Sequence, residues 1–488
     1  MKLLKDLLYD VRIEEVVGTT HTAVESISTD SRACKSMGLF VALKGTQVDG
    51  HDYIASALAN GTTTIVCEKI PKGADSIEGT TFIKVKNSSE ALGHIASAYY
   101  DHPTREMKVV AVTGTNGKTT IVTLLHKLFR IMDRKAGLIG TVENRINDKV
   151  VESTHTTPDA ISIQKLFREM VDEGCKFCFI EASSHALEQN RLAGTSIQVA
   201  VFTNITHDHL DYHLTFDNYI SAKKKLFDNL SLSAFALVNS DDAHAEDIVD
   251  NCKARVITYG IHSFADEKVR IVENQLKGLH LHINGTDLYS RLVGGFNASN
   301  LTAVFSVAKN LGFDPLAVLT SMSLLTSPPG RFELVESPDG ITAIVDYAHT
   351  PDALKNVLNT ISGFRTGGER LITVIGCGGD RDKSKRPVMA RVAATGSDRV
   401  FLTSDNPRTE DPQQILNDMQ AGLDPINKRK CLSISDRREA IRAAAAFAET
   451  GDIVLVAGKG HETYQDINGI KHDFDDRVVL KEAFSPTN

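Results

Sequence analysis

The chain has 488 residues, 42% of them apolar and 24% charged, with a formal net charge of −8. That length is too great for one core and implies about three domains, and the composition is that of a soluble globular protein. No run of 18 or more apolar residues occurs, and Met1 to Asp10 lacks a signal-peptide core, which excludes membrane insertion and gives a cytoplasmic location as the expectation. The negative charge is spread along the chain, so nucleic acid has no evident footprint; Lys223-Lys224-Lys225 is too short a basic run to change that. Seven cysteines without regular spacing argue against a disulfide framework. Cys175 and Cys178 have CxxC spacing, but Cys178 falls in the apolar run KFCFIEA and reads as a buried strand residue, with no second pair to complete a zinc site.

In chain order, residues 1–105 hold the strand GLFVAL (38–43), an apolar helix around Tyr53 to Ala59 and the strand TTIVCE. The polar loops STDSR (28–32) and KGTQVDGHDY (44–53) lie at strand ends, where ligands are commonly held, although plain connecting loop is the simpler reading. A hinge is expected near His102-Pro103-Thr104.

The segment KVVAVTGTNGKTTIVTLLHKL (108–128) follows. Val109, Val110 and Val112 read as a buried strand, Gly114 and Gly117 bracket a tight turn, and Ile121, Leu124, Leu125 and Leu128 recur at helical spacing. Such a turn cradles phosphate: backbone N–H groups converge on the anion, the helix N-terminus adds about half a positive charge, Lys118 supplies an ammonium, and the Thr119 hydroxyl suits the nucleotide's Mg²⁺. The strict GxxxxGK[ST] pattern needs glycine at 112, where Val112 stands.

From Met107 strands and helices alternate, implying an α/β fold with a mainly parallel sheet covered on both faces. Sites in such sheets gather at the carboxyl ends of strands, so Thr119, Glu181, Ser183 and His209 are expected to meet near the phosphates. The cluster HDHLDYH (207–213) reads as Mg²⁺ and phosphate chemistry in preference to zinc, because its histidines neither share a helix face nor pair with cysteines; a solvated surface is the remaining alternative. FDNYISAKKKLFDNL reads as a helix with Tyr219, Leu226 and Leu230 on its apolar side. Successive residues point about 100° apart, so at most one of its three lysines faces inward. GGFNASNLTAVFSVAKNLG (294–312) reads as a glycine turn capped by Asn297 leading into a helix. SPPGRFE (327–333) reads as a linker. Beyond it a second doubly wound pattern without a phosphate cradle suggests a cleft closing over two substrates.

Taken together, GTNGKTT, SSHAL, TNITHDHLDYH, the AK-x-x-LF lysine helix, PGRFE, DYAHTPDAL, GCGGDRDKSKRP, DNPR and GKGHE occur in the order found in the Mur ligase family, which the chain resembles from STDSR to GKGHE. The resemblance implies three domains: a small N-terminal α/β UDP-binding domain (1–105), a central P-loop domain with a mainly parallel sheet (106–329), and a C-terminal Rossmann-like domain that binds an amino acid (330–488). It implies an ATP-dependent amide ligase of peptidoglycan synthesis that acts as a monomer. Its partners would be ATP, UDP-N-acetylmuramoyl-L-alanyl-D-glutamate and meso-2,6-diaminopimelate. Gly114, Thr115, Asn116, Gly117, Lys118, Thr119 and Thr120 would hold the phosphates, and the 297–300 turn with Asn297, Arg331 and Asp346 the base and ribose. Thr119 and Glu181 would hold one Mg²⁺ and His209 would help hold a second, with Lys223, as a carbamate, bridging to Mg²⁺. Thr29, Ser31, Thr46, Gln47 and Val48 would take the UDP end, and Thr156, Thr157, Ser183, Gln189 and Arg191 the muramyl peptide; His155 stands where relatives often have asparagine. Arg381, Asp405, Asn406, Pro407, Arg408, Gly458 and Glu462 would form the diaminopimelate pocket, since an arginine fork suits the extra carboxylate. Lysine-adding relatives usually depart from DNPR. A sibling ligase, such as folylpolyglutamate synthase or the next tripeptide ligase, and a P-loop ATPase that forms no amide are the alternatives. A neutral Lys223 amine is needed to form the carbamate. Lowering a lysine by about three pKa units costs about 4 kcal/mol, a shift to which Lys224, Lys225 and a nearby metal are expected to contribute.

Overall fold

The computed structural model describes residues 1–45, 48–151 and 156–485. Three separate sheets carry the architecture. The first has five strands in the order Ile13–Val17, Thr81–Val85, Thr64–Cys67, Gly38–Val41 and Ser26–Ser28, parallel except for Ile13–Val17 at its edge. Gly38–Val41 and Thr64–Cys67 are buried throughout, and the helix Ser88–Tyr99 covers one face with Ala91, Leu92 and Ile95. The expected helix at Tyr53 begins as a 3₁₀ turn, Gly50–Tyr53, and becomes α-helical only over Ile54–Ala59.

The second sheet has eleven strands. Its centre is parallel: Ala136–Ile139, Phe177–Glu181, Lys108–Thr113, Ile197–Phe202, Phe235–Asn239 and Arg255–Gly260. Antiparallel pairs extend both edges: a hairpin at 144–151 on one side and, on the other, Glu267–Gln275, which joins Arg255–Gly260 in parallel and carries two further antiparallel strands. The parallel strands are apolar on both faces because helices cover both, whereas Glu267–Gln275 alternates buried and exposed residues with one face in water.

The helix Lys118–Ile131 illustrates how packing overrides propensity. Residues 119–123 are all β-branched, which disfavours helix by up to about 0.7 kcal/mol each. Ile121, Leu124, Leu125, Leu128 and Phe129 are fully buried, and each contributes about 1.5–3 kcal/mol, so burial wins. The same core takes Leu301, Val304 and Phe305 from the helix Gly295–Asn310.

The third sheet has six strands, ordered Glu333–Glu336, Thr342–Asp346, Ile453–Ala457, Leu371–Cys377, Arg399–Ser404 and Cys431–Ser433, parallel but for the first. The parallel centres of the second and third sheets therefore give two sets of strand carboxyl ends.

Three local expectations are corrected. Asn297 is not a cap: the helix Gly295–Asn310 starts on Gly294, and Asn297 sits inside its first turn, donating from Nδ2 to the Val293 carbonyl at 2.7 Å. Leu230 lies beyond the helix Phe216–Asp228, which stops at Asn229, although Leu230 is buried against the same core. The SPPGRFE segment is more than a linker, because Gly330 is buried so closely against Gly460 and His461 that a Cβ there would lie 2.0 Å from the His461 nitrogen. Among the described residues no helix is long and apolar enough to cross a membrane.

Candidate active site

The turn after Lys108–Thr113 is built around two glycines. Gly114 has φ of 148°, and a Cβ on it would lie 1.8 Å from Thr203 Oγ1; Gly117 has φ of 89° and precedes the helix. Val112, where the generic pattern asks for glycine, is fully buried in the strand, so the bend comes two residues later than that pattern requires. The Thr115 and Asn116 backbone N–H groups donate to Asn204, the former to its carbonyl oxygen at 2.8 Å and the latter to Oδ1 at 2.9 Å.

Lys118 folds back over the turn, Nζ donating to the carbonyls of Gly114 and Thr115 at 2.8 Å each. Lys223 Nζ, from the facing helix, donates to the same Gly114 carbonyl at 2.9 Å and stands over the Tyr219 ring. Tyr219 Oη in turn lies 3.0 Å from Thr115 Oγ1. One lysine of the three faces inward, as the helix geometry requires: Lys223 is 1% exposed, while Lys224 pairs with Asp228 and Lys225 with Glu188. Burial, and then the Lys118 charge, hold the Lys223 amine well below the ordinary lysine range. Lys224 and Lys225 are not the cause, which corrects the expectation drawn from their adjacency: each turns to its own carboxylate.

Glu181, at the end of its strand, is fully buried. Its carboxylate accepts from Thr119 Oγ1 at 3.0 Å, the Thr141 N–H at 2.7 Å and Thr141 Oγ1 at 3.1 Å. Arg331 reaches in from the third sheet's side, Nη2 donating to Thr119 Oγ1 at 3.1 Å with its guanidinium over the Tyr347 ring. Asp346 is buried, which raises its carboxyl above the ordinary range, and accepts from the N–H groups of Phe332 and Ala348 at 2.7 Å each. Asn116 Nδ2 donates to Asp352 at 3.1 Å, a second contact between the turn and the third sheet's helices. These groups line one cavity of about 710 Å³ that also takes in His209, Lys223, Phe296, Asn300, His349 and Arg381.

Matches to three family models account for most of the length: the Mur ligase family catalytic domain over residues 23–100, the Mur ligase middle domain over 112–308, and the Mur ligase glutamate ligase domain over 330–460. The chain belongs to the Mur ligase family. Curated relatives include the UDP-N-acetylmuramoyl-L-alanyl-D-glutamate--2,6-diaminopimelate ligase of Cytophaga hutchinsonii, 52% identical over 98% of both chains. That of Bacteroides thetaiotaomicron is 50% identical over 99% of this chain and all of the other. A solved structure of a ligase of the same description is 34% identical, with a TM-score of 0.69 over 99% of this chain and 98% of that one.

Within this Mur ligase the sequence-derived residues fall into three groups. The first surrounds the turn: Thr115, Asn116, Gly117, Lys118, Thr119, Thr120, Glu181, His209, Lys223, Arg331 and Asp346 line the cavity, and Gly114 closes it from behind through its carbonyl. Asn297 does not line it; Asn300, one helical turn on, does. Thr156, Thr157, Ser183 and Arg191 share the same cavity. Thr157 Oγ1 donates to the Glu181 carbonyl at 2.7 Å, Arg191 Nη1 donates to the Thr157 carbonyl at 2.6 Å, and Arg191 also grips Gln189 Oε1.

The second group, Thr29, Ser31 and Val48, sits on loops of the first sheet, with Ser31 buried and Thr29 and Val48 exposed; Thr46, Gln47 and His155 lie outside the described residues. The third group gathers at the carboxyl ends of the third sheet. Asp405, Asn406 and Pro407 are buried there, and Asn406 Nδ2 donates to Glu462 Oε2 at 2.8 Å. Gly458, at φ of 114°, passes so near that a Cβ would lie 2.7 Å from Asp405 Oδ2. Arg408 and Arg381 flank Gly378: a Cβ built there would be 2.9 Å from Arg408 Nη1 and 3.9 Å from Arg381 Cγ. Arg381 alone of this group also lines the large cavity.

Sequence reasoning did not single out Asp208 and His349, although both stand in motifs it quoted. Burial works against the Asp208 charge, but His209, His349, Lys385 and Lys118 hold its carboxyl below the usual range. His349 is pushed down to about 4 by burial and by Lys385, and His209 to about 3 by burial, with Lys118 and Lys223 adding to it against Asp208; both imidazoles are neutral at pH 7. Their position just after the strands Ile197–Phe202 and Thr342–Asp346, at carboxyl ends where sites gather, was the available signal.

Proposed function

We propose that this Mur ligase joins the amine of meso-2,6-diaminopimelate to the γ-carboxyl of the D-glutamate in UDP-N-acetylmuramoyl-L-alanyl-D-glutamate, with ATP cleaved to ADP and phosphate. The observation that carries the reading is that the glycine turn of one sheet and Arg331 and Arg381 from the other line one cavity, as transfer between a phosphate site and an adjoining amino-acid site would need. The relatives of the same description, identical at half of all positions over the full length, support the choice of substrates.

The chemistry is phosphoryl transfer followed by acyl transfer. A γ-carboxylate oxygen attacks the terminal phosphorus of ATP and ADP leaves; the amine then attacks the acyl carbon and inorganic phosphate leaves, the amine losing a proton. Such transfer needs clamped charge and orientation more than covalent help. Lys118 swings from the Gly114 and Thr115 carbonyls to the β- and γ-phosphates, and the turn's N–H groups and the helix N-terminus hold the rest of the chain of charge. Thr156, Thr157, Ser183, Gln189 and Arg191 orient the peptide carboxyl, and Ser31 with its neighbouring loops takes the uridine end. Arg331, Asp346 and Asn300 receive the adenosine.

The donor set suits Mg²⁺. Thr119 and Glu181 are hard oxygen donors 3.0 Å apart, and among the described residues the buried Glu181 carboxylate accepts from hydroxyl and N–H donors, with no protein cation hydrogen-bonded to it. His209, neutral, and Lys223, as a carbamate, would complete the set. When bound, Mg²⁺ supplies positive charge to the phosphate oxygens.

ATP turnover should require both the UDP-dipeptide and diaminopimelate, and mass spectrometry should find the tripeptide with diaminopimelate but not with lysine. Phosphate release that ignores either acceptor would overturn the reading. Arg331→Ala removes the cation over Tyr347 and the donor to Thr119; it should raise KM for ATP about tenfold, in steady-state kinetics, while KM for diaminopimelate stays put.

A further inference from the structure

We infer that Lys459 is a positioning residue of the amino-acid pocket: its ammonium fixes the Asn406 amide and holds Glu462 in place, and so sets the site that receives the substrate's ammonium group. This inference rests on the proposed reading and deepens it. Lys459 has no exposed surface, an unusual position for a lysine unless it is paired. Its Nζ donates to Asn406 Oδ1 at 2.9 Å and to Glu462 Oε2 at 3.0 Å, and lies 3.6 Å from Asp405 Oδ1.

An asparagine amide has one oxygen end and one nitrogen end, and only their partners decide which way it faces. Asn406 Oδ1 accepts two donors, Lys459 Nζ and the Asp466 N–H at 3.0 Å. The nitrogen end is therefore forced toward Glu462, where Nδ2 donates at 2.8 Å. Without Lys459 one of the two donors that fix the amide is gone.

Charge points the same way. Asp405 and Glu462 put two carboxylates in one buried corner, and Lys459 neutralises one, leaving a net single negative charge for an incoming ammonium. The other buried cation nearby, Arg437, is committed to Asp476 through two hydrogen bonds of 2.7 and 2.8 Å. Among the described residues Lys459 is thus the cation bonded into this corner. Arg408 and Arg381 beside Gly378 face the complementary end, a carboxylate.

The test is steady-state kinetics on the full chain. Lys459→Met should raise KM for diaminopimelate about tenfold or more, while KM for ATP, and kcat at saturating amine, stay within about twofold. Lys459→Arg keeps a buried cation but replaces the compact ammonium by a planar fork, and should show the same split at several-fold. Should Lys459→Met fail to bind nucleotide, Lys459→Arg carries the test. An unchanged KM for diaminopimelate, an equal rise in both KM values, or failure of both variants to bind nucleotide would overturn the inference. If the wild type does not consume diaminopimelate, the proposed function falls instead; if it does and the variants show no split, only the role of Lys459 falls.

Discussion

Lys223→Ala is expected to lower ligase turnover by on the order of 10²–10³-fold, the size seen when one preorganised charge-stabilising group is removed from a transition state. The loss should be partly restored by formate or acetate. The argument begins with burial. A protonated lysine cannot react with CO₂, and keeping an ordinary lysine neutral at pH 7 costs about 5 kcal/mol. At this position the fold meets that cost in advance, because Lys223 is 1% exposed, lies near Lys118 and, among the described residues, has the Gly114 carbonyl as its one hydrogen-bond acceptor. The carbamate would turn the amine into an oxyanion in the cavity that Glu181 and His209 also line, and a small carboxylate entering the space left by the alanine replaces that anion. Full activity in Lys223→Ala would remove the idea. Absence of rescue with nucleotide binding intact would restrict Lys223 to its contact with Gly114.

How much of this was legible beforehand depended on whether the signal was local. The glycine turn between strand and helix was readable because strand, glycines, lysine, hydroxyls and helix follow one another within twenty-one residues, and each demands the next. Val112 was a misfit only to a rigid pattern; the buried strand simply runs through it. The inward lysine was predictable as one of three by angle, but not its source of depression, since burial and the distant Lys118 are tertiary facts while Lys224 and Lys225 are merely adjacent. Asn297 was misread for the same reason: asparagine after a glycine turn favours a cap, yet here the Val293 carbonyl draws it into the first turn. The antiparallel sheet edges escaped because strand direction is set by the partner. Lys459 escaped because a lysine between two glycines at a strand end looks exposed, and only the convergence of residues 405–406 and 462 makes it a core cation.

The pocket's arginine gives the second large effect. Arg408→Ala should raise KM for diaminopimelate by about 30- to 100-fold, corresponding to about 2–3 kcal/mol for a lost charge-assisted clamp, with KM for ATP unchanged. The guanidinium makes one protein hydrogen bond among the described residues, from Nη1 to the Gly379 carbonyl at 2.6 Å, which orients the fork and leaves its remaining N–H groups for a carboxylate. Its backbone is held at φ of 50°, an uncommon conformation for a bulky residue. The hairpin Tyr464–Asp473 enforces it: the Arg408 N–H donates to the Asp466 carbonyl at 3.0 Å, and the Asn468 N–H donates to the Arg408 carbonyl at 2.8 Å. Alanine keeps a Cβ in that conformation, so the backbone strain is the same in both proteins and the kinetic loss reports the guanidinium. Arg408→Lys, with the charge but no fork, should fall between them. Lysine as substrate lacks the distal carboxylate, so the wild type should discriminate against it and Arg408→Ala should lose most of that discrimination. Equal rises in both KM values, or discrimination that survives the substitution, would take Arg408 out of the recognition site and leave Arg381 to hold the carboxylate alone.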